Sequence, residues 1–306
     1  MQKLTQSDSK GNTIHLYVYE PETKPKGVVQ IIHGASEHFA RYGLFAEFLS
    51  KNGFAVVGCD ILGHGLSTST TDFVHFADKD GDRIAFESLL LVKDYIQKTY
   101  PKQKYYVLGH SMGSFLARKL VIDYPEFYAK AVWSGTTHVP GIVSSMGKML
   151  ASIIGFFKGP KHISKTIQNM AIDANPRKMK KDGLIHDLDE EWLTKDKEIQ
   201  DYYHNSPICG QPFTVTANRD MFRWLGYVNN TKNIMKTKRD LPIFIISGAK
   251  DPLSNYGERI NYLYNLMLKL GFTNVKMKLY DEDRHEILNE LDKATVYDDI
   301  LNFLKK

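Results

Sequence analysis

Cysteine is nearly absent from this 306-residue chain, which has only Cys59 and Cys209. Two thiols cannot make a disulfide framework, so a buried core has to hold the fold, and Cys59, at the end of an apolar run, reads as a small core residue. A large excess of one charge is also missing. The 40 Lys and Arg stand against 35 Asp and Glu, a net +5 with the lysines spread widely. That argues against a nucleic-acid-binding stripe and leaves only weak attraction to anionic surfaces. No long hydrophobic run occurs. The longest, Ile142 to Phe157, is interrupted by Lys148, and a membrane-spanning helix needs about 20 apolar residues. Met1 to Gly11 is polar and carries no secretory core, so a cytoplasmic protein, or a mature form whose signal is missing, is expected. Repeats and low-complexity segments are absent as well.

What is present is a globular composition, 42% hydrophobic and 25% charged, in a chain long enough to bury a large core. Val28 to His33 and Phe54 to Asp60 are short, Val- and Ile-rich and non-alternating, the pattern of parallel strands covered on both faces. Ile14 to Glu20, Tyr105 to Leu108, Ala131 to Gly135, Leu241 to Ile246 and Val275 to Tyr280 read as further strands. Helical spacing marks Tyr42 to Asn52, Asp82 to Tyr100, Ser114 to Tyr124, Tyr256 to Leu270 and Leu291 to Leu304. From Thr137 to about Asp240 the strand–helix rhythm stops. The expected fold is therefore α/β, a mostly parallel doubly wound sheet, with residues 1–136 and 241–306 as its core and 137–240 as a helical insertion.

Gly109-His110-Ser111-Met112-Gly113 sits between a strand and a helix. A serine between two glycines on such a turn is lifted clear of the backbone beside the positive end of the helix, where a developing oxyanion is stabilised. Ser111 is thus the candidate nucleophile. A serine hydroxyl needs a base, and the base an orienting acid. In open α/β sheets these collect past the carboxyl ends of strands. Asp251 follows one late strand in Gly248-Ala249-Lys250-Asp251-Pro252, and His285 follows the next in Asp281-Glu282-Asp283-Arg284-His285. Asp281 and Asp283 are rival acids but lie in the histidine's own loop. The order Ser111, Asp251, His285 is that of an α/β-hydrolase. The oxyanion donors are expected to be the amides of Met112 and of Ala35, in the loop His33-Gly34-Ala35-Ser36-Glu37-His38. A metal site on His33, Glu37 and His38 is the competing reading, but their spacing is not that of a zinc motif, and no metal is expected.

Three stretches together carry a family resemblance: His33 to Tyr42 (HGASEHFARY), Asp60 to Ser67 (DILGHGLS) and Gly109 to Gly113. The chain resembles the monoacylglycerol lipase and lysophospholipase branch of the serine α/β-hydrolases. The resemblance implies ester hydrolysis through an acyl-enzyme, a cap over the active site, no cofactor, and Ala35 and Met112 in the oxyanion hole. Ser36 stands where many relatives carry glycine, which stiffens the loop without touching the donor amide. His64 and its flanking glycines read as a structural turn, and Glu37 and Arg41 as a scaffolding pair.

Within the insertion, Ile142, Met146, Met149, Ile153, Phe156 and Phe157 fall near helical spacing, followed by Lys158, Lys161 and Lys165. An apolar stripe either buries against the core or shields an acyl chain, and Met149 and Ile153 are expected to line an acyl tunnel. A lipid or small ester is the expected substrate, and an apolar face beside cations suits peripheral contact with a membrane. A proline-iminopeptidase-type peptidase shares the fold and would need acidic groups for the substrate amine, which Glu190 and Glu191 offer. A non-catalytic ligand-binding protein has no need of serine, histidine and aspartate together.

Overall fold

A computed structural model describes all residues, 1–306. The strands are β1 (Gln2–Ser7), β2 (Thr13–Tyr19), β3 (Val28–Ile32), β4 (Ala55–Cys59), β5 (Tyr105–His110), β6 (Lys130–Ser134), β7 (Ile243–Gly248) and β8 (Val275–Tyr280). They form one sheet in the order β1-β2-β4-β3-β5-β6-β7-β8. From β4 to β8 the pairing is parallel, whereas β2 pairs antiparallel with both β1 and β4. The doubly wound parallel sheet read from the sequence is present, with an antiparallel hairpin added at one edge. Every residue of β3, β4 and β7 is buried, which is why their sequences do not alternate. β1 is an edge strand with a mostly exposed, polar face, so its sequence gave no strand signal.

The helices are α1 (Gly43–Lys51), α2 (Gly81–Thr99), α3 (Met112–Asp123), α4 (Gly141–Lys158), α5 (Lys165–Ala171), α6 (Ala174–Lys181), α7 (Lys197–Asn205), α8 (Val215–Asn229), α9 (Thr231–Ile234), α10 (Glu258–Lys269) and α11 (Lys293–Lys305). One face of the sheet packs against α2, α3, α8 and α10, the other against α1 and α11. The stretch between β6 and β7 holds α4 to α9 and no named strand. It is bound closely to the core: Ala217, Trp224 and Val228 of α8 join the larger apolar cluster, and the Trp224 indole donates to the Asp82 carbonyl at 3.0 Å. α4 lies on α8 through small residues. A Cβ at Gly147 would meet the Phe222 ring at 2.8 Å, so glycine is what lets the two helices approach.

Candidate active site

β5 runs into Ser111, and α3 begins at the next residue. Ser111 has φ 52° and ψ −122°, a conformation a non-glycine residue rarely adopts and one that stores backbone strain. Its neighbours hold it there. Its amide donates to the Ser134 carbonyl at 2.9 Å, and its own carbonyl accepts from the Ser114 hydroxyl at 2.6 Å. The two motif glycines have distinct reasons. A Cβ on Gly109 would collide with the backbone of Gly113, and one on Gly113 with the carbonyls of Ile32 and His33 at the end of β3.

The last two parallel strands bring the sequence-expected partners together. Asp251 follows β7 and His285 follows β8, and His285 Nδ1 donates to Asp251 Oδ2 at 3.0 Å with both side chains buried. That donor role fixes the proton on Nδ1 and leaves Nε2 as the acceptor in a neutral ring. The aspartate is fully engaged: Oδ1 accepts from the Leu253 amide at 2.8 Å, and Oδ2 also accepts from the Ser247 hydroxyl at 3.1 Å. Burial opposes charging of His285, but the adjacent Asp251 carboxylate outweighs it and holds the imidazole pKa above its ordinary value. The rival carboxylates are elsewhere. Asp281 is exposed. Asp283 is wholly buried beside Glu290 and Asp292, with the Lys195 ammonium 3.7 Å from Oδ1; burial, followed by those acidic neighbours, outweighs Lys195 and pushes its pKa up to about 7.

Ala35 and Met112 line, with Ser111 and His285, one cavity of about 410 Å³. No hydrogen bond joins Ser111 Oγ to His285 Nε2 in this state, a contact that in free enzymes commonly tightens only with substrate bound. The loop that carries Ala35 is held by a buried ionic network. Glu37 Oε1 accepts from the Gly34 amide at 2.5 Å and from the Tyr42 hydroxyl at 2.7 Å. Glu37 Oε2 pairs with Arg41 at 2.5 Å, and Arg41 makes a two-pronged contact with Glu286 at 2.7 and 2.6 Å. Burial alone would raise the Glu37 pKa; the Arg41 guanidinium reverses that and keeps the carboxyl ionised. The Glu37–Arg41 pair agrees with the sequence reading. Glu286 was not anticipated, although a charged residue directly after His285 and before the apolar Ile287-Leu288 was a usable signal. The residues of the alternative metal reading are engaged separately: His33 Nε2 accepts from the Ile61 amide at 2.9 Å, and His38 Nε2 contacts the Tyr202 hydroxyl at 3.0 Å. Ser36 takes a left-handed φ of 54°, and its hydroxyl donates to the Gln211 carbonyl at 2.7 Å, tying the loop to the insertion.

Met149 and Ile153 require a correction. They do not line the cavity but stand 58% and 48% exposed on the outer face of α4, with Phe156 and Phe157 at 84% and 76%. The physical reason is that α4 spends its inward face on α8, where Ser144, Gly147 and Ala151 permit close packing and Leu150 and Ile154 fill the seam, so the stripe of Met146, Met149, Ile153, Phe156 and Phe157 points outward. The insertion reaches the cavity instead through Val143, Trp192, Tyr203 and Leu225. No helix is long and apolar enough to cross a membrane.

Known proteins resemble this chain along most of its length. The family model described as "Serine aminopeptidase, S33" matches residues 23–292. A monoacylglycerol lipase of Mycolicibacterium smegmatis is 25% identical over 94% of this chain and 91% of its own, and the mouse monoglyceride lipase is 22% identical over 94% and 84%. The fold of a thermostable carboxyl esterase from Bacillus coagulans, solved with glycerol, superposes with a TM-score of 0.87 at 23% identity, covering 99% of this chain and 97% of that one. The chain therefore belongs to the serine aminopeptidase S33 family and has the α/β-hydrolase fold.

Proposed function

We propose that this serine ester hydrolase cleaves monoacylglycerols or lysophospholipids through an acyl-enzyme on Ser111. His285 is the general base, Asp251 orients it, and the Ala35 and Met112 amides receive the oxyanion. The observation that carries the reading is that a strained Ser111 and an Asp251-paired His285 open onto one cavity. Ser111 Oγ attacks the ester carbonyl while Nε2 of His285 takes its proton. The carbonyl oxygen becomes an oxyanion at the start of α3, where amides and the helix dipole favour negative charge. Collapse of the intermediate expels the alcohol, which leaves with the proton from His285. Water then repeats the sequence on the acyl-serine, with the same imidazole as base.

The names of the two lipase relatives support a monoacylglycerol as substrate. Residues 137–240 act as a cap over a core of 1–136 and 241–306. The exposed apolar face of α4 suits contact with the lipid surface from which such a substrate is drawn. The peptidase alternative is weakened by the commitments of the acidic groups it needs. Glu190 pairs with His204 at 3.0 Å, and Glu191 accepts from the Asp187 and Leu188 amides at 2.8 and 3.0 Å.

The deciding experiment is a series of p-nitrophenyl esters of rising chain length run beside monoacylglycerol, lysophosphatidylcholine and a prolyl-peptide amide. Faster turnover of the longer acyl esters and of one of the two lipids is expected. Preferential cleavage of the peptide would overturn the ester reading.

A further inference from the structure

Hydrogen bonds strap residues 191–195 of the insertion to the loop that carries His285. The amides of His285 and Glu286 donate to the Trp192 and Leu193 carbonyls at 3.4 and 2.6 Å. The Arg284 guanidinium donates to the Glu191 carbonyl at 2.6 Å, the Thr194 hydroxyl to the Asn289 carbonyl at 3.1 Å, and the Lys195 amide to Glu290 at 3.0 Å. This strap delivers the Trp192 indole onto the imidazole of His285, ring centroids 4.7 Å apart and 22° from parallel. His110 approaches His285 at the same centroid distance, tilted by 49°. The general base thus has two aromatic neighbours, one ring from the elbow strand and one, stacked, from the insertion.

The two rings differ in chemistry. Burial, then the charge of His285, holds the His110 pKa down to about 4, so His110 stays neutral at physiological pH. An indole face is the most favourable aromatic surface for a cation. The other charges that reach His285 are the paired carboxylate of Asp251, the carboxylates of Glu37 and Glu286 and, tied to those two, the Arg41 guanidinium. The Arg284 guanidinium is turned away into carbonyls of the insertion.

We propose that Trp192 is a positioning residue for the general base: its indole, strapped to the His285 loop, fixes the imidazole plane and favours the imidazolium that forms as Ser111 attacks. This rests on His285 being the base.

The test uses the full chain with Trp192→Phe, Trp192→Leu and, as a separate control, His285→Ala. The pH dependence of kcat and KM is followed on p-nitrophenyl acetate, an ester too small to need the cavity wall. Trp192→Leu should lower kcat about fivefold with KM little changed, and should move the acidic limb of kcat/KM down by about half a pH unit. Trp192→Phe, which keeps an aromatic face, should recover most of both. Fluorescence of the wild type minus that of Trp192→Phe should titrate with the same midpoint as the acidic limb, because a protonated imidazole quenches a stacked indole. That measurement serves even if the leucine variant does not fold. A rise in KM with an unmoved limb, or a difference fluorescence blind to pH, would make Trp192 a wall of the cavity and overturn the proposal. Retained turnover in His285→Ala would instead remove the base assignment beneath it.

Discussion

Arg41 and Glu286 form a two-pronged ion pair, at 2.7 and 2.6 Å, between the loop expected to supply an oxyanion amide and the loop that carries His285. Both side chains are almost wholly buried, and Arg41 also binds Glu37, which accepts from the Gly34 amide. Two loops that lie 245 residues apart in sequence therefore share one guanidinium.

Breaking a buried pair leaves an uncompensated charge and typically costs about 3–5 kcal/mol. Arg41→Met should therefore fall sharply in stability, measured by urea unfolding. Arg41→Lys keeps the charge but not the planar fork. It should fold, lose less stability than Arg41→Met, and show kcat on p-nitrophenyl acetate reduced by about tenfold, a factor that corresponds to about 1.4 kcal/mol. Wild-type turnover in Arg41→Lys would show that the link is structural only.

Ser111→Ala should lose both fluorophosphonate labelling and ester hydrolysis, by about 10⁴-fold or more in kcat, and His285→Ala should match it. Labelling of the alanine variant at the wild-type rate would place the nucleophile elsewhere.

The pH profile follows from the His285–Asp251 pair. The base works when neutral, and its pKa is raised, so the acidic limb of kcat/KM should lie above the ordinary histidine value of about 6.5. Asp251→Asn removes the raising charge and should shift that limb to lower pH while depressing the plateau. A limb that stays in place would indicate that Asp251 does not face the base in solution.

Asp283 carries a second, separate pH signature. Its folded pKa of about 7 lies above the ordinary 3.8, so the native state holds this proton more tightly than the unfolded chain. The resulting contribution to stability is full below about pH 4 and is lost as the pH rises through about 7. Asp283→Asn cannot ionise. It should match the wild type in thermal unfolding near pH 4 and exceed it at pH 8, by about 1–3 kcal/mol. Equal stability of the two proteins at pH 8 would mean that Asp283 is already satisfied when charged.

Met149→Asp and Ile153→Asp test the outer face of α4. Both side chains are about half exposed and away from the cavity, so melting temperature should fall only slightly and turnover of dissolved esters of any chain length should be little changed. Turnover of monoacylglycerol presented in anionic vesicles should fall by up to about tenfold for each substitution. Selective loss on dissolved long-chain esters would return these residues to the acyl path.

Local chemistry in the sequence determined a good deal. The unbroken apolar runs at β3, β4 and β7 required a covered parallel sheet, because a strand with two buried faces has no polar side to alternate. The Gly109–Gly113 elbow and the positions of Asp251 and His285 past later strands followed from backbone sterics and from where strand ends gather. Periodicity also gave α4 as a helix, but it cannot say which side of a helix meets the protein. That was decided by α8, whose approach through Gly147 turned the apolar stripe outward. The edge strand β1 had no signal of its own, since its pairing with β2 supplies what its polar sequence does not. Likewise, Glu286 reaching Arg41 and Trp192 lying on His285 are contacts between distant segments. Only the closing of the whole chain around the sheet brings them within a few ångströms, because neither residue carries a local preference for its partner.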